Sequence, residues 1–231
     1  MKLALPCAAA LLVMTAACQI EKPAPVATVF GTAPQLPEPQ SKLIPTVKVA
    51  EARAWKDGEK PVAAPGYTVK AFAEGLDHPR WIYELPNGDI LVAETNAPPR
   101  PEDGGGIRGF FMKRAMTKAG AAVPSPDRVS LLRDTDGDGA ADVHTAYLTN
   151  LMSPFGMALV GDTLYIANAD AIVSVPYTEG EDVNTATPQT VFKLPGGPIN
   201  HHWTKNIVAS ADGTKLYAAV GSNSNIAERG M

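Results

Sequence analysis

Residues 82–95 read IYELPNGDILVAET, residues 157–168 read MALVGDTLYIAN, and residues 207–221 read IVASADGTKLYAAVG. Each has the same order: a short apolar run, a turn built on Gly with Asp or Asn, a second apolar run, then a loop. Apolar runs of this length bounded by turn residues read as strands. Asn-Gly and Asp-Gly supply the positive φ that a tight hairpin needs. Residues 128–149, RVSLLRDTDGDGAADVHTAYLT, form a further strand–turn–strand unit, and the alternation of YTVKAFAEGL at 67–76 reads as another strand. Hairpins that recur with no helical units between most of them predict an all-β chain, a β-propeller of four-stranded blades. The competing architecture is a two-layer β-sandwich with regular turns. A blade takes roughly 40–50 residues, so residues 65–231 hold roughly three to four blades. Propellers close with about four to eight. The expectation is the N-terminal part of a longer propeller.

One segment breaks the rhythm. Residues 96–127 make a long excursion, Pro- and Gly-rich at both ends, whose centre at 106–118 reads as one short helix. Phe110, Phe111 and Met116 are its apolar side chains, and Arg108, Lys113, Arg114 and Lys118 its basic ones. An excursion of this length is either a lid over a site or a helix packed on the side of the barrel.

The N-terminus reads as an export address. Lys2 precedes the apolar run LALPCAAALLVM and the small residues TAAC, so residues 1–17 are expected to be a signal peptide. The apolar run is too short to span a bilayer. Cys18 stands where a bacterial lipoprotein signal places its lipidated cysteine; the alternative is simple cleavage after Ala17. Both outcomes put the chain in the periplasm, touching membrane only through a lipid on Cys18. Cys7 lies inside the signal, so the 2 cysteines leave no internal disulfide. Residues 18–64 are Pro-rich and weakly patterned, and read as a tether. The formal charge of −4 gives no electrostatic reason to expect a nucleic-acid partner.

Three groups of residues are candidates for chemistry. In DTDGDGAAD, Asp134, Asp136 and Asp138 alternate ahead of Gly139, with Asp142 following. That is the first half of a calcium loop, but Thr145 stands where the bidentate Glu belongs, and the flanks read as strands. The residues are either a cation site or a hairpin turn using Asp and Gly for turn chemistry. Glu94, at a strand end, either lines a channel mouth or is a solvated loop carboxylate. His201 and His202 sit just before a strand, where alternation aims the two rings in opposite directions. One is then available to accept a proton and the other to support it. His78 and His144 lie in separate units with no ligand spacing. Nucleophile-elbow, phosphate-loop and dinucleotide motifs are absent from the sequence.

The stretches GLDHPRWIYELPNGDILVAETN, LLRDTDGDGAADV, SPFGMALVGDTLYIANADAIV and GPINHHWTKNIVASADGTKLYAAVGSNSN together resemble the glucose/sorbosone dehydrogenase family, L-sorbosone dehydrogenase-like members above all. The resemblance runs from about residue 65 to the end. It implies a six-bladed propeller that binds pyrroloquinoline quinone (PQQ) and Ca²⁺. It also implies an exported oxidoreductase that oxidises a sugar, a sorbosone-like sugar aldehyde or a related alcohol and passes electrons to an acceptor. His202 falls at the family's general-base position, with His201 in support and Trp203 either against substrate or in the core. Ser222 stands where soluble glucose dehydrogenases carry an acid, so their sugar-site chemistry does not transfer. The family's cofactor-holding positions are expected beyond Met231, and the 231 residues alone are expected to be inactive. The alternatives are a non-catalytic exported propeller acting as a binding scaffold, and a calcium-dependent adhesive repeat.

Overall fold

The strand–turn–strand units fold as antiparallel hairpins in the computed structural model, which describes residues 31–34, 49–99, 106–197 and 200–222. Strands β1 (Pro79–Glu84) and β2 (Ile90–Glu94) pair with Glu84 opposite Ile90. At the turn the Gly88 N–H donates to Leu85 O at 2.9 Å and the Leu85 N–H to Asp89 O at 2.8 Å. Gly88 takes the left-handed backbone, φ 87°, while Asn87 does not. Asn87 contributes through its side chain instead, whose Oδ1 accepts from the Asp89 N–H at 3.2 Å. The sequence expectation of positive φ from the Asn-Gly pair therefore holds for the glycine alone.

β3 (Arg128–Arg133) and β4 (Val143–Leu148) complete a four-stranded sheet in the order β1-β2-β3-β4. A second four-stranded sheet follows: β5 (Met157–Val160), β6 (Thr163–Ala167), β7 (Ala171–Pro176) and β8 (Gln189–Lys193), again in chain order. β9 (Asn206–Ala209) and β10 (Leu216–Ala219) form a two-stranded sheet. The described residues thus hold two complete blades and the first hairpin of a third. Helix α1 (Gly106–Lys118) is inserted between β2 and β3. Among the described residues no helix is long and apolar enough to cross a membrane. The signal peptide, Cys18 and most of the tether lie outside the described residues.

The strand expected at residues 67–76 does not form. Its Phe72 carbonyl accepts one backbone bond, from Ala141 at 2.7 Å, and its Lys70 ammonium reaches Asp138. Alternation supplies a face but not a ladder, and a single backbone bond to a loop does not make a strand.

Burial decides between propeller and sandwich. In the second sheet, successive residues go to opposite cores, as the period of two requires. Met157, Leu164, Ile166, Val173 and Val175 pack against Leu91, Leu131 and Tyr147 of the first sheet. Ala158, Ala167 and Ile172 pack against Ile207 of the third. A sheet with a sheet on each face is a propeller blade, not half of a two-layer sandwich.

The first strands of the three sheets also converge at their leading ends. Trp81 of β1 packs on Phe155, just before β5, with ring centroids 5.2 Å apart. The Gly156 N–H donates to Lys205 O at 3.0 Å, tying the start of β5 to the start of β9. The Arg80 guanidinium lies 5.3 Å from the Trp203 ring centroid, closing the set. In an up-down sheet the β2–β3 connection opens at this same end, so the excursion carrying α1 leaves from it. Ile107, Phe110 and Phe111 are 81%, 66% and 63% exposed, so α1 is not packed by its apolar face on the side of the described sheets.

Glu94 pins this end of the first blade, and it is neither a channel-lining nor a solvated carboxylate. It is fully buried. Arg128 donates to both its oxygens, Nε to Oε1 at 3.0 Å and Nη2 to Oε2 at 2.8 Å. Ser130 Oγ and the Asp77 N–H donate as well. Burial by itself pushes the carboxyl up; the bonds from Arg128, Ser130 and Asp77 outweigh it and hold it below the ordinary value of 4.5. A depressed carboxyl stabilises the fold above its unfolded pKa, and that contribution is lost as pH falls through the folded value. Glu94→Ala, leaving Arg128 unpaired, is expected to cost about 3 kcal/mol near neutral pH. In denaturant titrations the gap between the native chain and Glu94→Gln is expected to narrow as the pH drops below 4.5.

Candidate functional site

His201 and His202 form a turn rather than the extended pair the sequence suggested; after it burial alternates into β9, with Trp203, Lys205 and Ile207 buried, Thr204 and Asn206 half-buried, and His202 and Val208 exposed. His202 and His201 therefore differ in setting, His202 exposed and His201 half-buried. The His202 ring is held from outside the segment. Its Nδ1 lies 2.5 Å from the Ser222 carbonyl oxygen, at the end of β10. A carbonyl only accepts, so a neutral ring in this bond carries its proton on Nδ1 and its lone pair on Nε2. That tautomer leaves Nε2 as the ring's acceptor nitrogen.

Gly221 is what lets β10 approach. A Cβ there would lie 2.5 Å from His202 Cβ. Its φ is not positive, so the demand on this glycine is space rather than backbone freedom.

Trp203 is buried, with one side of its indole covered by Arg80. Of the two roles the sequence left open, the geometry is that of core packing. Ser222 meets His202 through its backbone carbonyl.

The sequence reading passed over Lys205. It is 1% exposed, yet its Nζ donates only to neutral acceptors, His202 O at 2.9 Å and Asn200 Oδ1 at 3.1 Å. Burial pulls its pKa down. Asn200, also buried, donates through Nδ2 to Ala169 O in the β6–β7 connection at 3.1 Å. Strict alternation with Trp203 and Ile207 was the available signal, since it places Lys205 on their side of the segment.

The aspartate loop sits at the other end of the first sheet, between β3 and β4. Asp134, Asp136 and Asp138 come together, one ligand atom of each lying within 4.8 Å of the others; Asp142 does not join them. Asp134 uses both oxygens on the loop backbone, accepting from the N–H groups of Gly137 at 2.8 Å, Asp138 at 3.2 Å and Gly139 at 2.8 Å. Asp138 is paired with Lys70 at 3.0 Å, which holds its carboxyl below the usual range. Asp142 accepts from the Thr135 hydroxyl at 2.6 Å and the Thr135 N–H at 2.7 Å, and its carboxyl is likewise lowered. The three carboxylates are close enough to share one cation, while turn bonds to Asp134 and the Lys70 pair on Asp138 give the same groups a role in the loop itself. A cleft of about 530 Å³ lies beside this loop, lined by Asn87, Asp89, Arg133 and Asp134 among others. It is at the far end of the sheet from His202, and Asp89 within it is bound by Arg133 through two bonds of 2.8 Å.

Two measurements check this geometry. Gly221→Ala is expected to lower the unfolding free energy from denaturant titration by about 1–3 kcal/mol through overpacking against His202. Gly197→Ala, whose Cβ would have nothing within 4 Å, serves as the neutral control. At the loop, Asp134→Ala is expected to cost about 1 kcal/mol by orphaning backbone donors, with Asp136→Ala within about 0.5 kcal/mol of the native chain. A rise in melting temperature on adding Ca²⁺, abolished by Asp134→Ala, would show instead that the loop takes a cation.

Comparison with known proteins places the fold. The iodide structure of Trichoderma reesei Carbohydrate-Active Enzymes Family AA12 superposes with a TM-score of 0.50 at 19% identity, over 71% of this chain and 35% of that one. The holo form of the pyranose dehydrogenase PQQ domain from Coprinopsis cinerea gives 0.48 at 17% identity, over 67% and 30%. The calcium structure of the Trichoderma reesei AA12 enzyme gives 0.47 at 20%, over 71% and 35%. The chain thus spans about a third of the length of each. Among curated proteins nothing matches. A family model for a domain of unknown function, DUF7133, matches residues 65–230, the whole bladed region, and the chain belongs to that family.

Proposed function

We propose that this chain is part of an exported, PQQ-dependent oxidoreductase acting on a sugar, a sorbosone-like sugar aldehyde or a related alcohol. The observation that carries the reading is the His202 ring, with Nδ1 on the Ser222 carbonyl at 2.5 Å and Nε2 left as the acceptor. The ring is exposed and stands where the first strands of three blades converge. The motifs shared with glucose/sorbosone dehydrogenases and the fold likeness to a carbohydrate-active enzyme of family AA12 support the same reading. Export rests on residues 1–17, followed either by a lipid on Cys18 or by cleavage after Ala17.

In this reading His202 Nε2 takes the proton of a substrate hydroxyl or aldehyde hydrate while the adjacent carbon gives up a hydride. PQQ, when bound, supplies the hydride-accepting chemistry. The described residues fit the proton-accepting half of such a reaction. They do not include a cradle for the quinone's carboxylates, because both cations at the turn are engaged: Lys205 is buried and Arg80 covers Trp203. The aspartate loop likewise does not fit the Ca²⁺ of a quinone site, being at the opposite end of the blade. Trp203 holds the turn in the core, and the Ser222 carbonyl sets the tautomer.

The other reading is a propeller that binds or scaffolds without catalysis. The native full-length protein, reconstituted with PQQ and Ca²⁺ and assayed with an artificial electron acceptor on aldoses and sorbosone, separates the two. Turnover is expected, with His202→Ala lowering it by about 10²–10⁴-fold and His201→Ala by less. Absence of turnover, together with no absorbance change on adding PQQ, supports the scaffold.

A further inference from the structure

Lys205 sits in a place where an apolar side chain would be easier to keep. The residue is 1% exposed, and the hydrogen-bond partners of its ammonium are a carbonyl and an amide oxygen. Taking an ammonium out of water without a carboxylate is costly, and an apolar residue of similar volume often packs as well or better. Methionine at this position would fill the space without a charge. The lysine therefore does something that filling space does not.

Its bonds show what. The Nζ grips the His202 carbonyl at 2.9 Å and Asn200 Oδ1 at 3.1 Å. Asn200 Nδ2 reaches Ala169 O at 3.1 Å, and Lys205's own carbonyl takes the Gly156 N–H at 3.0 Å. The His turn is thereby tied to the β6–β7 connection and to the start of β5, two fixed points of the neighbouring blade. On the opposite side the Ser222 carbonyl holds the ring itself. The backbone of His202 is anchored by one blade and its imidazole by the end of β10. Hydrogen bonds from a cation are stronger than neutral ones, which suits an anchor. Lysine also has the reach to return from the strand to a carbonyl three residues earlier.

We propose that Lys205 and Asn200 form a buried clamp that positions the His202 imidazole with its Nδ1–H on the Ser222 carbonyl. Lys205 is a positioning residue that acts through the His202 backbone and touches no substrate. The inference rests on the reading of His202 as proton acceptor for its use, but not for its test.

The test is imidazole NMR on the full chain labelled with ¹⁵N-histidine, at a pH where the ring is neutral. The native ring is expected as the Nδ1–H tautomer. Lys205→Met, which keeps bulk and removes the donor, is expected to lose that preference and move to the Nε2–H form that an unconstrained histidine favours. A lysine that only stabilised the core would change the denaturant midpoint and leave the tautomer alone. If Lys205→Met does not fold, Asn200→Ala keeps the ammonium and releases one anchor, with the same tautomer shift expected. Retention of the Nδ1–H tautomer in the variants, or its absence from the native chain, overturns the clamp. A tautomer shift in the variants, with no PQQ-dependent turnover in the native protein, keeps the clamp and removes the oxidoreductase reading.

Discussion

A β-sheet with two apolar faces and no helix to cover either must lie between two other sheets. The second blade meets that condition strand by strand. Leu164 and Ile166 go to one core, Tyr165 and Ala167 to the other, and the same division runs through β5 and β7. Burying apolar surface at about 25 cal/mol per Å² on both faces is what holds the blades together. Everything at the His202 end follows, because sheets stacked by twist around a common axis bring their first strands together. The Gly156–Lys205 backbone bond, the Trp81–Phe155 contact and the Arg80–Trp203 contact are local records of that convergence.

Polar groups buried at that end are there because the strands stop and their connections must be secured. Glu94 with Arg128 fixes the end of β2 against β3, and Lys205 with Asn200 fixes the approach to β9. The two solutions differ in chemistry. Glu94 has a cation, a hydroxyl and a backbone N–H, which together more than offset its desolvation. Lys205 has only neutral oxygens, and burial pulls its pKa down. That contrast separates a structural ion pair from a residue held for what it positions.

The two ends of the first blade also divide their labour. Where β1–β2 and β3–β4 turn, carboxylates are spent on turns and on arginine and lysine: Asp89 on Arg133, Asp134 on its own loop, Asp138 on Lys70. Where the strands begin, an imidazole stands in solvent with its acceptor nitrogen uncommitted to the Ser222 bond. In the cleft at the turn end Asp89 and Arg133 are already paired with each other.

Much of this was legible in the residue order. Apolar pairs around Gly-Asp and Asn-Gly turns reported hairpins, because turn chemistry and period two are local properties of the backbone. The helix at Gly106–Lys118 was legible for the same reason, whereas His201 and His202 lie in a turn, where strand alternation does not apply. The failures were all matters of partner. Residues 67–76 alternate like a strand, but alternation cannot supply a neighbour to pair with. Glu94 looked like an exposed strand-end acid, because its salt bridge to Arg128 spans 34 residues of chain. Lys205 carried no signal beyond its alternation with Trp203 and Ile207. Only the packing of one blade against the next buries it and ties its partner Asn200 to Ala169 of the neighbouring blade. What a stretch of chain does to itself was written in the sequence; which distant groups meet was decided by tertiary structure, since burial and hydrogen bonding between blades depend on how the sheets stack.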